Sequence, residues 1–419
     1  MSFIYSMAAR KIRKKILILL FWVLIVIIIW FISLNMEHKK KEHQQQTIVE
    51  TVYPENIRVL LTDKNGSISV SQLAIQGINE FTIVSNGKAY EYDAGKVIHL
   101  DITKLQNRNI SFVPKDDSSP CFLLIEGQDV QPFSYRGILE CFGKEGGVQV
   151  VNELPVEEYL YGVVPSEMPS GYPKEALKVQ AICARTYAYE HMDTYAYPDL
   201  RANVDDTIRY QVYGSILEQS STNQAVEETR DVIITQEGEV MPCMYYSTSC
   251  KAIEKTEPWY SWSVTYPYDE KALAQKVQTC YQQYPYFFDS YSEGAITGIK
   301  AEQRNEDGYI TRLAFETNQG KTVCNSDYAI RTCLCMEDAI CKRQDGYDYV
   351  LQDLLPSSHF SLSFVTLDSG GTGLHIQGGG YGHGNGVSQN GAKHLANMGY
   401  DAQQILNIYL GNCVLDKVR

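Results

Sequence analysis

The chain has 419 residues, of which 44% are hydrophobic and 11% aromatic, and this content is typical of a folded protein rather than a disordered one. Its formal net charge is −13, from 50 acidic and 37 basic residues, and much of the basic charge lies in Arg10–Lys15 and Lys39–Lys41. Because nucleic-acid phosphates are bound by clustered Lys and Arg, the acidic remainder disfavours nucleic acid as a partner.

The first element along the chain is an uncharged apolar run at Ile16–Leu34, preceded by basic residues. Its 19 residues just span a bilayer core of about 30 Å in a helix. A cleaved signal peptide would have an apolar region of roughly 7–15 residues and then a small-residue cleavage site, and neither condition holds. We predict a cytoplasmic basic segment at 1–15, a transmembrane signal-anchor at 16–34 and a juxtamembrane stalk at 35–56, with the remainder extracytoplasmic.

Short alternating apolar runs between 57 and 151, broken by Asn-Gly and Asp-containing turns, predict an all-β stretch. The next segment predicts a helix that begins at Pro173 and is buried on one apolar face. Ahead of this helix, Pro165 and Pro169 flank Glu167. Each proline restricts its own φ and the residue before it, so we expect a stiff loop there.

Further along, the sequence predicts a polar helix at Gln219–Arg230 and a hairpin at 232–250 that turns near Glu237-Gly238. An aromatic-rich stretch that includes Trp262 and Tyr266 follows. Aromatic side chains at this density favour a core over a ligand platform, although Tyr and Trp also suit the faces of sugars.

Seven glycines lie within Gly378–Gly391, which requires positive φ angles or close approach of another group. Asp401 and Gln404 resemble a capping box that opens a last helix, and Gly411 closes it. The elements together predict a mixed α+β fold, with a β-rich N-terminal part, a helical segment and a glycine-rich C-terminal part, preceded by one transmembrane helix.

The chain has eleven cysteines, and four of them cluster without a standard zinc spacing, namely Cys324, Cys333, Cys335 and Cys341. Disulfides or free thiols are therefore favoured over structural zinc. The glycine-rich stretch lacks the Lys-Ser/Thr of a phosphate-binding loop, and its histidine has no HExxH spacing. We predict no metal and no cofactor.

Glu167 is the strongest candidate for chemistry because a carboxylate held between two prolines is preorganised, as acid/base catalysis requires. From spacing alone, a carboxylate that merely caps or pairs with the helix start is equally supported. A helix N-terminus would favour the charged form, but Pro173 is six residues away. We therefore predict that burial dominates and raises the pKa of Glu167.

Four segments resemble the stage II sporulation protein D (SpoIID/LytB) family: ELPVEEYLYGVVPSEMP, EALKVQAICARTYAY, YYSTSC and GYGHGNGVSQNGA. The resemblance covers roughly 57–413, within a predicted catalytic domain at 57–419. It implies a lytic transglycosylase that cuts the MurNAc–GlcNAc β-1,4 bond of peptidoglycan, preferably on glycan stripped of stem peptides, and leaves 1,6-anhydro ends.

The resemblance also implies roles for individual residues, with Glu167 as the single catalytic carboxyl. The matching residues expected to bind substrate are Lys178, Gln180, Arg185, Thr186, Tyr187, Ser247, Thr248, His383 and Gln389. The chain departs from the family at Tyr246, where His is usual, and at Cys250-Lys251, where Gly-Gly is usual. A zinc site known in some relatives is therefore not carried over.

Two other functions stay open at this point. The chain could be a cell-wall-binding module without catalysis that enhances a partner amidase, which would need glycan binding but no acid. It could also be a metalloenzyme that uses the cysteine cluster. Glycan strands are the expected main partner of a transglycosylase and of a binding module, but not of a metalloenzyme.

Overall fold

The computed structural model describes residues 55–418, apart from 64–66, 68, 71, 101–104, 106–107, 127–128 and 145. The predicted basic segment, the predicted transmembrane helix and nearly all of the predicted stalk lie outside the described residues. Among the described helices, none is long and apolar enough to cross a bilayer. The fold is a strand-rich mixture of α and β structure, as predicted.

The N-terminal part is dominated by strands, which confirms the prediction for 57–151. These are β1 (Asn56–Leu61), β2 (Leu73–Gly77), β3 (Phe81–Ser85), β4 (Lys88–Tyr92), β5 (Val97–His99), β6 (Asn109–Pro114), β7 (Phe122–Glu126), β8 (Asp129–Tyr135), β9 (Ile138–Lys144) and β10 (Gly147–Pro155). With β11 (Val204–Asp205) they form sheets ordered β11-β1-β10-β9-β6-β3-β4 and β5-β2-β7-β8. Phe81 and Phe112 of the first sheet contact Phe122 of the second, with ring centroids 5.8 and 6.1 Å apart.

The C-terminal part adds fourteen described strands in four sheets. They are β12 (Val232–Gln236), β13 (Glu239–Val240), β14 (Tyr245–Tyr246), β15 (Trp262–Pro267), β16 (Phe288–Ser290), β17 (Ile296–Arg304), β18 (Ile310–Thr317), β19 (Gly320–Cys324), β20 (Ile340–Arg343), β21 (Asp348–Val350), β22 (Phe360–Thr366), β23 (Thr372–Gly378), β24 (Val387–Ser388) and β25 (Val414–Lys417). The sheets run β21-β20-β15-β23-β22, β16-β19-β18-β17, β13-β12-β25 and β14-β24. The predicted hairpin turn is confirmed between β12 and β13, where Glu237 and Gly238 have φ angles of 55° and 88°.

The aromatic-rich stretch and the cysteines are largely core. Trp262 and Tyr266 are buried within one hydrophobic cluster, which confirms the core interpretation for these two rings. The same cluster contains all four cysteines of the C-terminal run. All eleven cysteines are free thiols, and the described residues include no group of three His, Cys, Asp or Glu side chains arranged to hold a metal ion.

The described residues form seven α-helices. They are α1 (Val156–Glu167), α2 (Lys174–Met192), α3 (Ser220–Glu228), α4 (Glu270–Gln283), α5 (Asp327–Leu334), α6 (Gln389–Asn397) and α7 (Ala402–Leu410). The predicted polar helix is confirmed as α3. The predicted capping box also forms at the start of α7, since the Asp401 side chain accepts from the Gln404 N–H and the Gln404 side chain accepts from the Asp401 N–H.

Helix α1 runs through Pro165 to Glu167, so the predicted stiff loop around Glu167 is wrong. Pro165 lacks one N–H donor, but the Met168 N–H still bonds to the Val164 carbonyl at 3.0 Å and closes the last turn. The helical conformation is disfavoured for a residue before proline, and Met168, which precedes Pro169, is extended with φ −133° and ψ 133°. Glu167 is therefore the last residue of α1.

Helix α2 begins after Pro173, as predicted, and lies at the centre of the helical part. It packs against α1, α3, α6, α7 and β12. Because 13 of its 19 residues are buried, the expectation that only one face is covered is wrong. Polar side chains on the remaining faces must find partners inside the protein.

Arg185 is a fully buried charged residue of α2. Its Nε and Nη2 donate to the two carboxylate oxygens of Glu157 in α1, at 2.6 and 2.7 Å. Its Nη2 and Nη1 also donate to the carbonyls of Val226 and Val232, at 3.2 and 3.1 Å. A bidentate pair with these additional bonds satisfies both charges where water is excluded. Arg185 thus joins α1, α2, α3 and β12.

Replacing Arg185 with Met leaves the buried Glu157 carboxylate without its cation. We expect the free energy of unfolding to fall by about 3–5 kcal/mol, because an unpaired buried charge is strongly destabilising. The matched control is Arg230→Met, since Arg230 pairs with Glu227 at an exposed position and should contribute less than about 1 kcal/mol. Urea unfolding followed by circular dichroism compares the two variants, and similar small losses in both would contradict a structural role for Arg185.

Candidate functional site

A cavity of about 230 Å³ opens at the C-terminal end of α1. Its lining residues come from several parts of the chain. Helix α1 supplies Glu167 and helix α2 supplies Tyr187. The loop after β11 supplies Ile208–Val212. Met244, just before β14, and Tyr245, its first residue, also line the cavity, and the glycine-rich segment supplies His383. The structure therefore brings together three of the predicted site residues, Glu167, Tyr187 and His383.

The Glu167 carboxyl accepts hydrogen bonds from two donors on different segments. The Val212 backbone N–H donates to Oε1 at 2.7 Å, and the Tyr245 hydroxyl forms a second bond. The Gln211 side-chain Nε2 donates to the Tyr245 hydroxyl oxygen at 3.0 Å, and the Tyr159 hydroxyl donates to the Gln211 side-chain Oε1 at 3.4 Å. Because the Tyr245 oxygen accepts from Gln211, its own proton is free to be donated to Glu167.

Burial raises the pKa of Glu167 to about 7, against the hydrogen bonds from Val212 and Tyr245, which lower it. The direction agrees with the sequence prediction. The helix end next to Glu167 is the C-terminal end of α1, however, and not the N-terminal end of α2 that was considered from the sequence. Glu167 ends α1, and the carbonyl end of a helix carries partial negative charge that disfavours a carboxylate. Glu167 therefore exchanges its proton near neutral pH.

The glycine-rich segment holds β14 against the cavity. The short strand β24 pairs in parallel with β14, and a side chain at Gly386 would place its Cβ 2.0 Å from the Met244 carbonyl oxygen. The His383 Nε2 lies 2.9 Å from the Tyr245 carbonyl oxygen, and the Asn385 N–H donates to the His383 Nδ1 at 3.1 Å. This pattern requires a neutral ring with its proton on Nε2, and burial lowers the pKa of His383 in agreement.

Behind the cavity, the predicted residue Gln389 bonds to the backbone of Glu167, and a second predicted residue, Gln180, bonds to Gln389. The Gln389 Nε2 donates to the Glu167 carbonyl oxygen at 3.0 Å and contacts the Gln180 Oε1 at 3.2 Å. Both glutamines are buried. This contact joins the first residue of α6 to the last residue of α1 and satisfies a carbonyl that the helix leaves free. Tyr187, by contrast, is at the cavity surface, where its ring stacks on His191 at 4.2 Å.

The other predicted substrate-binding residues are not part of the cavity lining. Lys178 pairs with Glu175 and Glu228 at the surface of α2. The Arg185 guanidinium is buried and paired with Glu157. The Thr186 hydroxyl donates to the Ile182 carbonyl and accepts from the Ile234 N–H. The Ser247 and Thr248 hydroxyls lie 3.1 Å apart, and Thr248 also accepts from Asn390 at 2.9 Å. Their contact with substrate stays a prediction.

Sequence reasoning missed Tyr245, Gln211 and Val212. Tyr245 precedes Tyr246 in the YYSTSC segment, and strand alternation was the available signal that the two rings face opposite sides. No comparable signal exists for Gln211 and Val212, because they lie in a loop outside the matched segments. Their role depends on the path of the chain between β11 and α3.

The segment that carries Glu167 matches a known protein family. Residues 144–236, which contain α1, α2 and α3, match the family model described as stage II sporulation protein. An uncharacterised protein of Brachyspira hyodysenteriae is 30% identical over 297 residues, which cover 68% of this chain and 73% of that protein.

Two relatives from Bacillus subtilis have descriptive names. The stage II sporulation protein D is 27% identical over 281 residues, which cover 62% of this chain and 74% of that protein. The amidase enhancer is 27% identical over 290 residues and 60% of this chain, but the chain spans 39% of that relative's length.

Glu167→Gln should stabilise the protein in a pH-dependent way, because the folded state raises the pKa of Glu167 to about 7. Well below the unfolded-state pKa both states hold the proton, so the variant should change stability little. As the pH rises from about 4.5 to about 7, the wild-type protein loses stability that the variant keeps, up to about 3 kcal/mol, and the difference stays constant at higher pH. Urea unfolding as a function of pH measures the difference. A difference that is the same below and above this pH range, or the same effect in the exposed control Glu190→Gln, would refute the raised pKa.

Tyr245→Phe removes one donor to the Glu167 carboxylate and should raise the pKa of Glu167 above its wild-type value. The adjacent Tyr246→Phe is the matched control, because the Tyr246 ring contacts Tyr309 and does not line the Glu167 cavity. Isotope-edited infrared titration of the Glu167 carboxyl group measures its pKa in both variants. An unchanged pKa in Tyr245→Phe, in a protein with a wild-type circular dichroism spectrum, would show that the hydroxyl does not bond to Glu167.

Proposed function

We propose that this chain, which belongs to the stage II sporulation protein D family, is a lytic transglycosylase that cuts peptidoglycan glycan strands. The bond cleaved is the β-1,4 linkage from MurNAc to GlcNAc, on strands stripped of their stem peptides. The apolar run at Ile16–Leu34 would anchor the enzyme in the cell membrane and place 57–419 outside.

The observation that carries this proposal is a lone carboxyl whose pKa is near neutrality. Among the described residues that line the 230 Å³ cavity, Glu167 is the one acidic side chain. Ordinary glycosidases need a second carboxylate about 5–9.5 Å away to act as nucleophile or to activate water. A transglycosylase needs one carboxyl that first gives and then takes a proton, and a pKa of about 7 suits both steps.

The proposed reaction has two proton transfers and no water. Protonated Glu167 donates to the glycosidic oxygen while the bond from that oxygen to C1 of the muramic residue breaks. The resulting carboxylate then takes the proton of the C6 hydroxyl, and the C6 oxygen bonds to C1 to close the 1,6-anhydro ring. The Val212 N–H and the Tyr245 hydroxyl stabilise the carboxylate formed between the two steps.

A second candidate is a cell-wall-binding module that enhances a partner amidase, and the name of one Bacillus subtilis relative favours it. Such a module would need glycan binding but no proton transfer. It gives no reason for a buried carboxyl with a raised pKa, which destabilises the folded protein at neutral pH. The transglycosylase is therefore the better-supported proposal.

Glu167→Gln should lower the release of anhydro-muropeptide ends by about 10²–10⁴-fold, the usual contribution of a general acid or base. The measurement is mass spectrometry of products from peptide-stripped glycan strands incubated with the full-length chain. Glu190→Gln, which changes an exposed carboxyl on α2, should keep wild-type activity.

Two results would count against this proposal in different ways. Undiminished anhydro products from Glu167→Gln would remove Glu167 as the catalyst. A wild-type chain that binds sacculi in a pull-down but releases no anhydro ends would favour the amidase-enhancing module instead.

A further inference from the structure

A second and larger cavity lies next to the Glu167 cavity. It has a volume of about 550 Å³. Aromatic side chains form much of its lining, namely Tyr246, Tyr260, Tyr309 and Phe360. Charged side chains at its rim include Lys251, Arg304 and Asp307. An aromatic lining with a few polar groups is the composition of a site for an amphipathic ligand such as a sugar.

The volumes of the two cavities indicate why a second site is needed. Small-molecule sites generally measure about 300–1,000 Å³. The Glu167 cavity, at about 230 Å³, is below this range, whereas the second cavity, at about 550 Å³, lies within it. A polymeric substrate held only at Glu167 would have little surface to bind, so the remaining affinity must come from elsewhere on the protein.

The two cavities share a wall made of adjacent residues. Tyr245 lines the first cavity and Tyr246 the second, as expected for neighbours on strand β14. The Tyr246 ring lies 5.6 Å from the His383 ring, which lines the first cavity, and 6.3 Å from the Tyr309 ring. The contact depends on Gly382, where a side chain would place its Cβ 2.7 Å from the Tyr246 Cβ.

The charges at the second cavity favour an anion. Lys251 pairs with Asp307 at 3.5 Å, so these two charges offset each other. The Arg304 guanidinium instead donates to the backbone carbonyls of Gly308 and Phe360, each at 2.7 Å. Across the described part of the chain, no carboxylate forms an ion pair with Arg304, and several of its N–H groups stay available.

Arg304 is therefore fixed in position by carbonyls while its positive charge is not neutralised by a side chain. Guanidinium groups bind carboxylates through paired N–H donors, with more geometric specificity than lysine. His359 contributes no second charge at neutral pH, because burial lowers its pKa. In a chain of net charge −13, a cavity with a surplus positive charge stands out as a site for an acidic group.

We propose that this second cavity is a glycan subsite for an acidic sugar, with Arg304 bonding to the sugar carboxylate and the aromatic rings packing on the sugar face. The inference rests on the proposed function. MurNAc carries a lactyl carboxylate that is free once the stem peptide is removed, and it alternates with neutral GlcNAc. The subsite would thus distinguish stripped strands from strands in which an amide bond has consumed the carboxylate.

Isothermal titration calorimetry with the full-length Glu167→Gln protein tests the subsite without turnover. The probes are peptide-stripped strands and the same strands with their carboxylates converted to methylamides. Adding Arg304→Gln should weaken binding of the acidic strands about tenfold, the loss expected for a charge-assisted hydrogen bond, and leave the methylamide strands unchanged. Arg304→Lys should restore part of the loss. The control Arg312→Gln changes a half-buried arginine that pairs with Asp289 and Glu302 outside the cavity lining, and it should match the parent.

Equal weakening for both kinds of strand, or no weakening for either, would overturn the subsite, as would a failure of the parent protein to bind the acidic strands. These results are separate from the test of catalysis. If the wild-type chain releases no anhydro ends while the parent protein still prefers acidic strands through Arg304, the proposed reaction fails and the subsite stands.

Discussion

The position of Glu167 depends on the proline two residues after it. Pro169 disfavours a helical conformation at Met168, which is extended, and α1 stops at Glu167 with the carboxyl at the carbonyl end of the helix. Gln389, the first residue of α6, donates to the Glu167 carbonyl and fixes this end from behind. One steric restriction and one hydrogen bond thus set where the acid lies, and every other feature of the cavity is arranged around it.

The same location explains the acidity of the group. Burial and the carbonyl end of α1 disfavour the carboxylate, while the Val212 N–H and the Tyr245 hydroxyl favour it, and the pKa of Glu167 comes to about 7. Without burial the pKa of Glu167 would be lower, and without the two donors it would be higher. A single carboxyl that must act as acid and then as base requires the balance between them.

Local patterns predicted much of the fold but less of the site. The turn at Glu237-Gly238 and the capping box at Asp401 could be predicted from the sequence because a few adjacent residues determine each of them. The loop predicted around Glu167 was wrong because a proline in a last helical turn removes only one hydrogen bond, a loss that α1 tolerates. The contact of Tyr245 with Glu167 could not be predicted, since it joins residues far apart in the sequence through the pairing of β14 with β24.

The pH dependence of kcat/KM tests the central claim most directly. The substrate is a peptide-stripped glycan strand of defined length, cut by the full-length wild-type chain. If protonated Glu167 is the acid, kcat/KM should fall as the pH rises through about 7, because the free enzyme then loses the proton that it must donate. A kcat/KM that stays constant or increases from about pH 6 to about pH 9 would contradict this account of Glu167.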